Sequence, residues 1–164
     1  MNSQNVPTRD AAYADIRRLF IAPEGCWLVR ADYNQLEMRV LAESGNVSNL
    51  IAAYQQRLDT HRSSALEIVE PVLYRHNGPA YEAWTQWEMK QKRWFGKNGL
   101  NFPSVYGVAA DKLVEQANKN GLPLTHKEAV EILKLFDRRY PQIEEHRSQY
   151  QAIVQGSSEA RTLY

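Results

Sequence analysis

Residues 26–33, Cys-Trp-Leu-Val-Arg-Ala-Asp-Tyr, carry the clearest strand signal in a chain whose other signals are mostly helical, and a strand must find a neighbour to hydrogen-bond with. The turn Pro23-Glu24-Gly25 precedes it, and Asn34, a residue type that caps helices, follows. Side chains alternate along a strand, so Trp27, Val29, Ala31 and Tyr33 share one face while Leu28, Arg30 and Asp32 share the other. Asp32 therefore ends the strand on its more polar face. Beyond it, the spacing predicts a helix over 35–44 with the apolar stripe Leu36, Val40 and Leu41 and with Gly45 to close it. Further helices are expected over 48–56, over 60–69 ahead of Pro71, over 79–106, and over 110–120 with Gly121 as the stop. Thr125-His126-Lys127-Glu128 is a capping box opening a helix striped by Ala129, Leu133, Phe136 and Tyr140. Pro141 breaks that helix, which resumes to about residue 155, and 160–164 read as a short second strand. The expected class is α+β, and the order of elements looks like part of such a fold.

The 20 basic and 19 acidic residues leave a formal charge of +1, which argues against a uniformly basic nucleic-acid-wrapping surface. Local basic clusters remain at Arg17-Arg18, at Lys90, Lys92, Arg93 and Lys97, and at Arg138-Arg139. A hydrophobic content of 43% supplies a core and excludes disorder. No apolar run reaches the roughly 18–20 residues that span a bilayer, and residues 1–10 hold no signal core, so a cytoplasmic, unsecreted chain without a membrane partner is expected. The lone cysteine, Cys26, excludes an internal disulfide and a thiolate-rich zinc site; its place beside Trp27 predicts burial.

Ala31-Asp32-Tyr33-Asn34-Gln35-Leu36-Glu37-Met38-Arg39-Val40-Leu41-Ala42 resembles motif A of the family A DNA polymerases, the bacterial DNA polymerase I group and its phage relatives. Asn5-Val6-Pro7-Thr8-Arg9, residues 16–25 and Asp59-Thr60-His61 flank it in the order that family has. Arg93, Lys97 and Asn101-Phe102-Pro103-Ser104-Val105-Tyr106-Gly107 are similar to motif B on the family's fingers helix. Phe136-Asp137-Arg138-Arg139-Tyr140-Pro141 and the terminal Arg161-Thr162-Leu163-Tyr164 resemble what lies between the fingers and the second half of the palm. The resemblance implies 1–45 as partial palm, 46–155 as helical fingers, and 156–164 as the start of a return to the palm.

Nucleotidyl transfer suits these residue types. A primer hydroxyl displaces pyrophosphate in line, aided by two magnesium ions, which are hard cations that take carboxylate and carbonyl oxygens. The resemblance makes Asp32 catalytic and a magnesium ligand, with the Tyr33 carbonyl as a further ligand; a polar strand end is the plainer reading of Asp32. Glu37, three residues past Asn34, suits a reciprocal cap, while the family role is to fill the space of a ribose 2′-hydroxyl and so select dNTPs. Arg93 and Lys97 are four apart and share a helix face that can grip a polyanion. The resemblance assigns them, with His61, to the incoming triphosphate, and makes Lys97 catalytic as well. Tyr33, Gln35, Phe102 and Tyr106 complete the implied dNTP site. Arg9, Arg17, Gln35, Tyr106 and Gly107 are implied contacts to primer-template DNA, the Tyr106 ring stacking on the templating base. Core packing is the alternative for Phe102 and Tyr106.

Two departures stand out. Five residues separate Lys97 from Phe102 where the family has four. On a regular helix of about 100° per residue this puts Phe102 about 180° from Arg93. Pro103 lacks the amide that would bond four residues back, so 99–103 is expected to kink or form a π-bulge that absorbs the extra residue and returns Phe102 and Tyr106 to the nucleotide face. The chain also holds no His-Asp pair of motif C, which carries the family's second metal-binding aspartate. The expectation is a polymerase fragment that needs a second polypeptide carrying motif C; a non-catalytic DNA- or dNTP-binding remnant or truncated polymerase is the alternative. Residues 70–89 look inserted, and their Tyr81, Trp84 and Trp87 form either a partner surface or core.

Overall fold

The computed structural model describes residues 19–29 and 31–156. Its contacts divide the chain into two units, Met1–Asn34 and Gln35–Tyr164. In the first unit, Gly25 takes a left-handed φ of 76° and Cys26 N donates to Pro23 O at 3.0 Å, closing the expected turn. The expected strand is absent: none of the described residues forms one, so the α+β class and the palm strand are corrected to a mostly helical chain. A strand persists through inter-strand hydrogen bonds, and no described segment supplies a ladder for 26–33. Trp27 is 91% exposed and Val29 88%. Cys26 is exposed too, against expectation, because no core forms around its neighbours. The 160–164 strand, Arg9 and Arg17 lie outside the described residues.

The second unit is helical throughout. Helix α1 (Leu36–Ser44) has its N-cap not at Asn34 but at Gln35, in a left-handed conformation with no side-chain capping bond. It buries Met38, Leu41 and Ala42, while Leu36 and Val40, expected in the stripe, are exposed. Helix α2 (Ser48–Gln55) packs beside it. The helix expected to end before Pro71 instead runs through it. Helix α3 (Thr60–Ser64) passes into a π-helical turn, Ala65–Val69, and then into α4 (Glu70–His76). Widening the turn just ahead of a proline relieves the clash of its ring with the preceding carbonyls.

The single helix expected over 79–106 is broken once, at Trp87, and beyond it runs on through the expected π-bulge. Helix α5 (Pro79–Gln86) ends at Trp87, whose ψ of 135° is extended; α6 (Met89–Phe95) begins with a capping box between Glu88 and Gln91; and α7 (Phe102–Val105) follows a second π turn, Gly96–Asn101. Trp84 is fully buried and edges against Phe95, and its Nε1 donates to Glu70 Oε2 at 2.9 Å. Trp87 and Tyr81 pack partly buried against the same core, so Tyr81, Trp84 and Trp87 are core rather than a free surface. A burial this large explains the run of three aromatics in seven residues.

Helix α8 (Ala110–Lys119) is stopped at Gly121, φ 81°, and packs on α9 (His126–Arg139) through Leu113, Ala117, Ala129 and Ile132. The Thr125–Glu128 capping box forms as read: Thr125 N donates to Glu128 Oε2 at 2.7 Å and Glu128 N to Thr125 Oγ1 at 3.3 Å. Thr125→Ala is expected to lower stability by about 1 kcal/mol, read as a shifted denaturation midpoint at unchanged slope. Helix α10 (Pro141–Gly156) begins at the proline. Among the described residues no helix is long and apolar enough to cross a membrane.

Candidate functional site

The second π turn solves the spacing problem posed by Lys97 and Phe102. Phe102 N donates to Lys97 O, five residues back, so one widened turn takes up the added residue. In that register Pro103 would have paired with Asn98 O; it has no amide, and Gln116 Nε2 of α8 donates there instead, at 2.6 Å. Lys97 and Phe102 consequently meet, with Nζ 4.9 Å from the ring centroid. Phe102, Val105 and Tyr106 line a small cleft of about 70 Å³ with Glu37 and Met38 of α1. Tyr106 caps α7 with its side chain 81% exposed, and Gly107 beyond it takes φ 74°. Arg147 of α10 fixes this end of the helix by donating Nη1 to Ser104 O at 2.9 Å.

Helix α3 lies against this element at Gly96. A Cβ on Gly96 would sit 2.1 Å from His61 O, so only glycine permits the approach. His61 is 0% exposed. Its Nδ1 lies 2.9 Å from Asn101 Nδ2, its ring meets Phe102 edge-on with centroids 5.6 Å apart, and its Nε2 is buried without a partner among the described residues. With Asn101 donating to Nδ1, the ring proton resides on Nε2. Burial, and then the charges of Arg93 and Lys97, push its pKa down to about 4, so the imidazole is neutral at physiological pH. His61 is thus no exposed first-turn residue.

Asp59 links α3 to Arg93. As the N-cap, its Oδ1 accepts from His61 N at 3.0 Å and Arg62 N at 3.2 Å, while Oδ2 accepts from Arg93 Nε at 2.5 Å. Burial works to raise the Asp59 pKa, but the hydrogen bonds from Arg93 and Arg62 and the Arg93 charge outweigh it and hold the carboxyl below its usual value. Gln35, expected at the nucleotide, faces inward: it is 8% exposed, and its Oε1 accepts from Thr60 Oγ1 at 2.5 Å and from Tyr54 OH at 3.5 Å.

The structure therefore brings Arg93, Lys97, His61 and Phe102 together in one cluster, and Glu37, Phe102 and Tyr106 around one cleft. Asp32 and Tyr33 are exposed residues of the first unit. Sequence reasoning missed the roles of Asp59, Asn101, Gly96 and Arg147. Asp59 was findable as an N-cap before Thr60-His61, whereas Gly96 and Arg147 act only through contacts distant in sequence. Among the described residues no three His, Cys, Asp or Glu side chains gather as a metal site. A second cleft, about 410 Å³, lies among Trp87, Lys90, Gln91, Trp94 and Asn120 and includes none of the residues marked by the resemblance.

The sequence profile of DNA polymerase family A matches residues 1–164. DNA polymerase I of Pseudomonas aeruginosa is 32% identical over 168 residues, covering 99% of this chain and 16% of its own length. The thermostable DNA polymerase I of Thermus aquaticus is 30% identical over 149 residues, 87% of this chain and 15% of its own. DNA polymerase I of Chloroflexus aurantiacus reaches 46% identity over 78 residues, covering 46% of this chain and 8% of its own. This chain thus spans 16% or less of the length of these relatives. Because the profile runs through every residue, including both halves of the cluster just described, the chain belongs to DNA polymerase family A.

Proposed function

We propose that this chain is the nucleotide-gripping part of a template-directed DNA polymerase, with 46–155 as its helical fingers and 1–45 contributing the first part of a palm. The observation that carries the reading is the π turn at Gly96–Asn101, which keeps Lys97 against Phe102 despite the added residue. Arg93 and Lys97 supply fixed positive charge for a triphosphate, and neutral His61 supplies an N–H donor. Phe102 and Glu37 bound the sugar space, the latter excluding a 2′-hydroxyl, and Tyr106 offers an open ring for a base to stack on. Tyr33 and Gln35 belong to the same proposal, with Gln35 acting through Thr60 rather than by direct contact. Arg9, Arg17, Tyr106 and Gly107 would meet the primer-template duplex.

Asp32 and the Tyr33 carbonyl are oxygen donors of the kind magnesium takes, and magnesium would neutralise the developing phosphate charge. One carboxylate is only part of such a donor set. A second polypeptide carrying motif C is part of the proposal. It is supported by the exposed, strand-like residues Trp27, Leu28 and Val29, which a partner strand would cover.

Two measurements test this reading. Arg93→Ala and Lys97→Ala should each weaken dNTP binding by about tenfold, the size of a lost charge-assisted phosphate contact, at little change in melting temperature. Unchanged affinity in both removes the site. Primer extension should appear when the chain is mixed with a motif C polypeptide and vanish with Asp32→Ala. DNA or dNTP binding without extension in that mixture favours the binding-remnant reading.

A further inference from the structure

The carboxylate of Asp59 is used on both of its oxygens. Oδ1 is held by two backbone amides of the first turn of α3, and Oδ2 takes Nε of Arg93. Among the five N–H groups of a guanidinium, Nε is the one that points sideways from the fork, so this contact leaves the paired Nη groups uncommitted. Arg93 has no other ion-pair partner among the described residues, and its side chain is 38% exposed. A bidentate grip on a phosphate needs that forward edge.

We propose that Asp59 is a positioning residue for Arg93: anchored by the α3 amides, it holds the guanidinium through Nε and so presents both Nη groups to the polyphosphate. This rests on the reading of Arg93 as a triphosphate contact. A carboxylate this close to a polyanion site would ordinarily repel the ligand. Here the amides that clamp Oδ1 belong to a helix N-terminus, whose partial positive charge offsets part of the aspartate's, so ordering outweighs repulsion. The same two amides tie Arg93 to the backbone of His61, the other member of the cluster. A single aspartate thus sets the relative placement of two triphosphate groups that are 32 positions apart in sequence.

Asparagine separates the two jobs of the residue. It caps helices about as well as aspartate, but it cannot hold a guanidinium by charge. In the full chain, Asp59→Asn is expected to bind inorganic triphosphate, followed by calorimetric titration, about three- to fivefold more weakly, the size of a partly exposed ion pair, with a loss of melting temperature much smaller than that of Asp59→Ala because the helix cap is kept. Asp59→Ala should lose binding and melting temperature together. The double variant Asp59→Asn/Arg93→Ala should bind no more weakly than Arg93→Ala alone, because the aspartate acts through the arginine. Equal or tighter binding by Asp59→Asn, with Arg93→Ala still weakened, overturns the positioning role and leaves the site intact. Binding by Arg93→Ala equal to that of the unsubstituted chain overturns the site and this role together.

Discussion

Gly96→Ala is expected to destabilise the chain by about 3 kcal/mol or more, at the upper end of what overpacking costs, and to lower its denaturation midpoint accordingly. Alanine is ordinarily the better helix residue by about 1 kcal/mol, so propensity alone predicts the opposite sign. The contact decides it. An added Cβ would lie 2.1 Å from His61 O, 3.1 Å from His61 C and 3.2 Å from Ala65 Cβ, and two of those atoms are backbone that cannot swing aside. Either α3 and the π turn move apart, opening the His61–Asn101 contact, or the turn rewinds. Both disrupt the proposed triphosphate site, so ligand affinity should fall with stability. A Gly96→Ala chain as stable as the unsubstituted one would mean that α3 does not pack here. Gly78→Ala is the control, since a Cβ there would meet only His76 O at an ordinary 3.9 Å.

The second large effect is with pH. An unfolded histidine titrates near 6.5, and folded His61 is pushed down to about 4 by burial and by Arg93 and Lys97. As pH falls below about 6.5 the unfolded chain takes up a proton that the folded chain refuses. The stabilisation is therefore fully present above the unfolded pKa and is lost between about pH 6.5 and 4, amounting to about 3 kcal/mol. Asp59 acts lower down: its depressed pKa adds stability that disappears only as pH falls through the acidic end of the carboxylate range. Urea denaturation of the unsubstituted chain and of His61→Gln at several pH values isolates the histidine. The stability difference between the two should change by about that amount across the window, in the direction that penalises the unsubstituted chain at low pH. A constant difference from pH 7 to pH 4 would contradict the buried, neutral imidazole.

Within the helical unit, the features that could be read in the sequence are those that a few adjacent residues decide for themselves. The Thr125–Glu128 box, the stop at Gly121 and the break at Pro141 are short-range hydrogen-bonding and steric rules, and each is where the residues put it. The widened turn before Phe102 belongs with them, because a five-residue spacing followed by a proline already disfavours a regular helix. The chemical types at Arg93, Lys97, Phe102 and Tyr106 were equally plain. Tertiary structure decided which way side chains face. Leu36 and Val40 are as apolar as Met38 and Leu41, yet only the latter pair meets a core, because burial depends on where neighbouring helices lie. Gln35 turns inward to Thr60, and His61 is sealed beneath Phe102 with its basicity lowered, for the same reason. Residues 26–33 have the alternation of a strand, but alternation only prepares a face; the strand itself requires hydrogen bonds from another segment. Local pattern thus determined that the chain is rich in helices, several of their ends and the chemistry it carries, while contacts between residues far apart in sequence determined how that chemistry is aimed, since distance, burial and charge pairing exist only once the helices have packed.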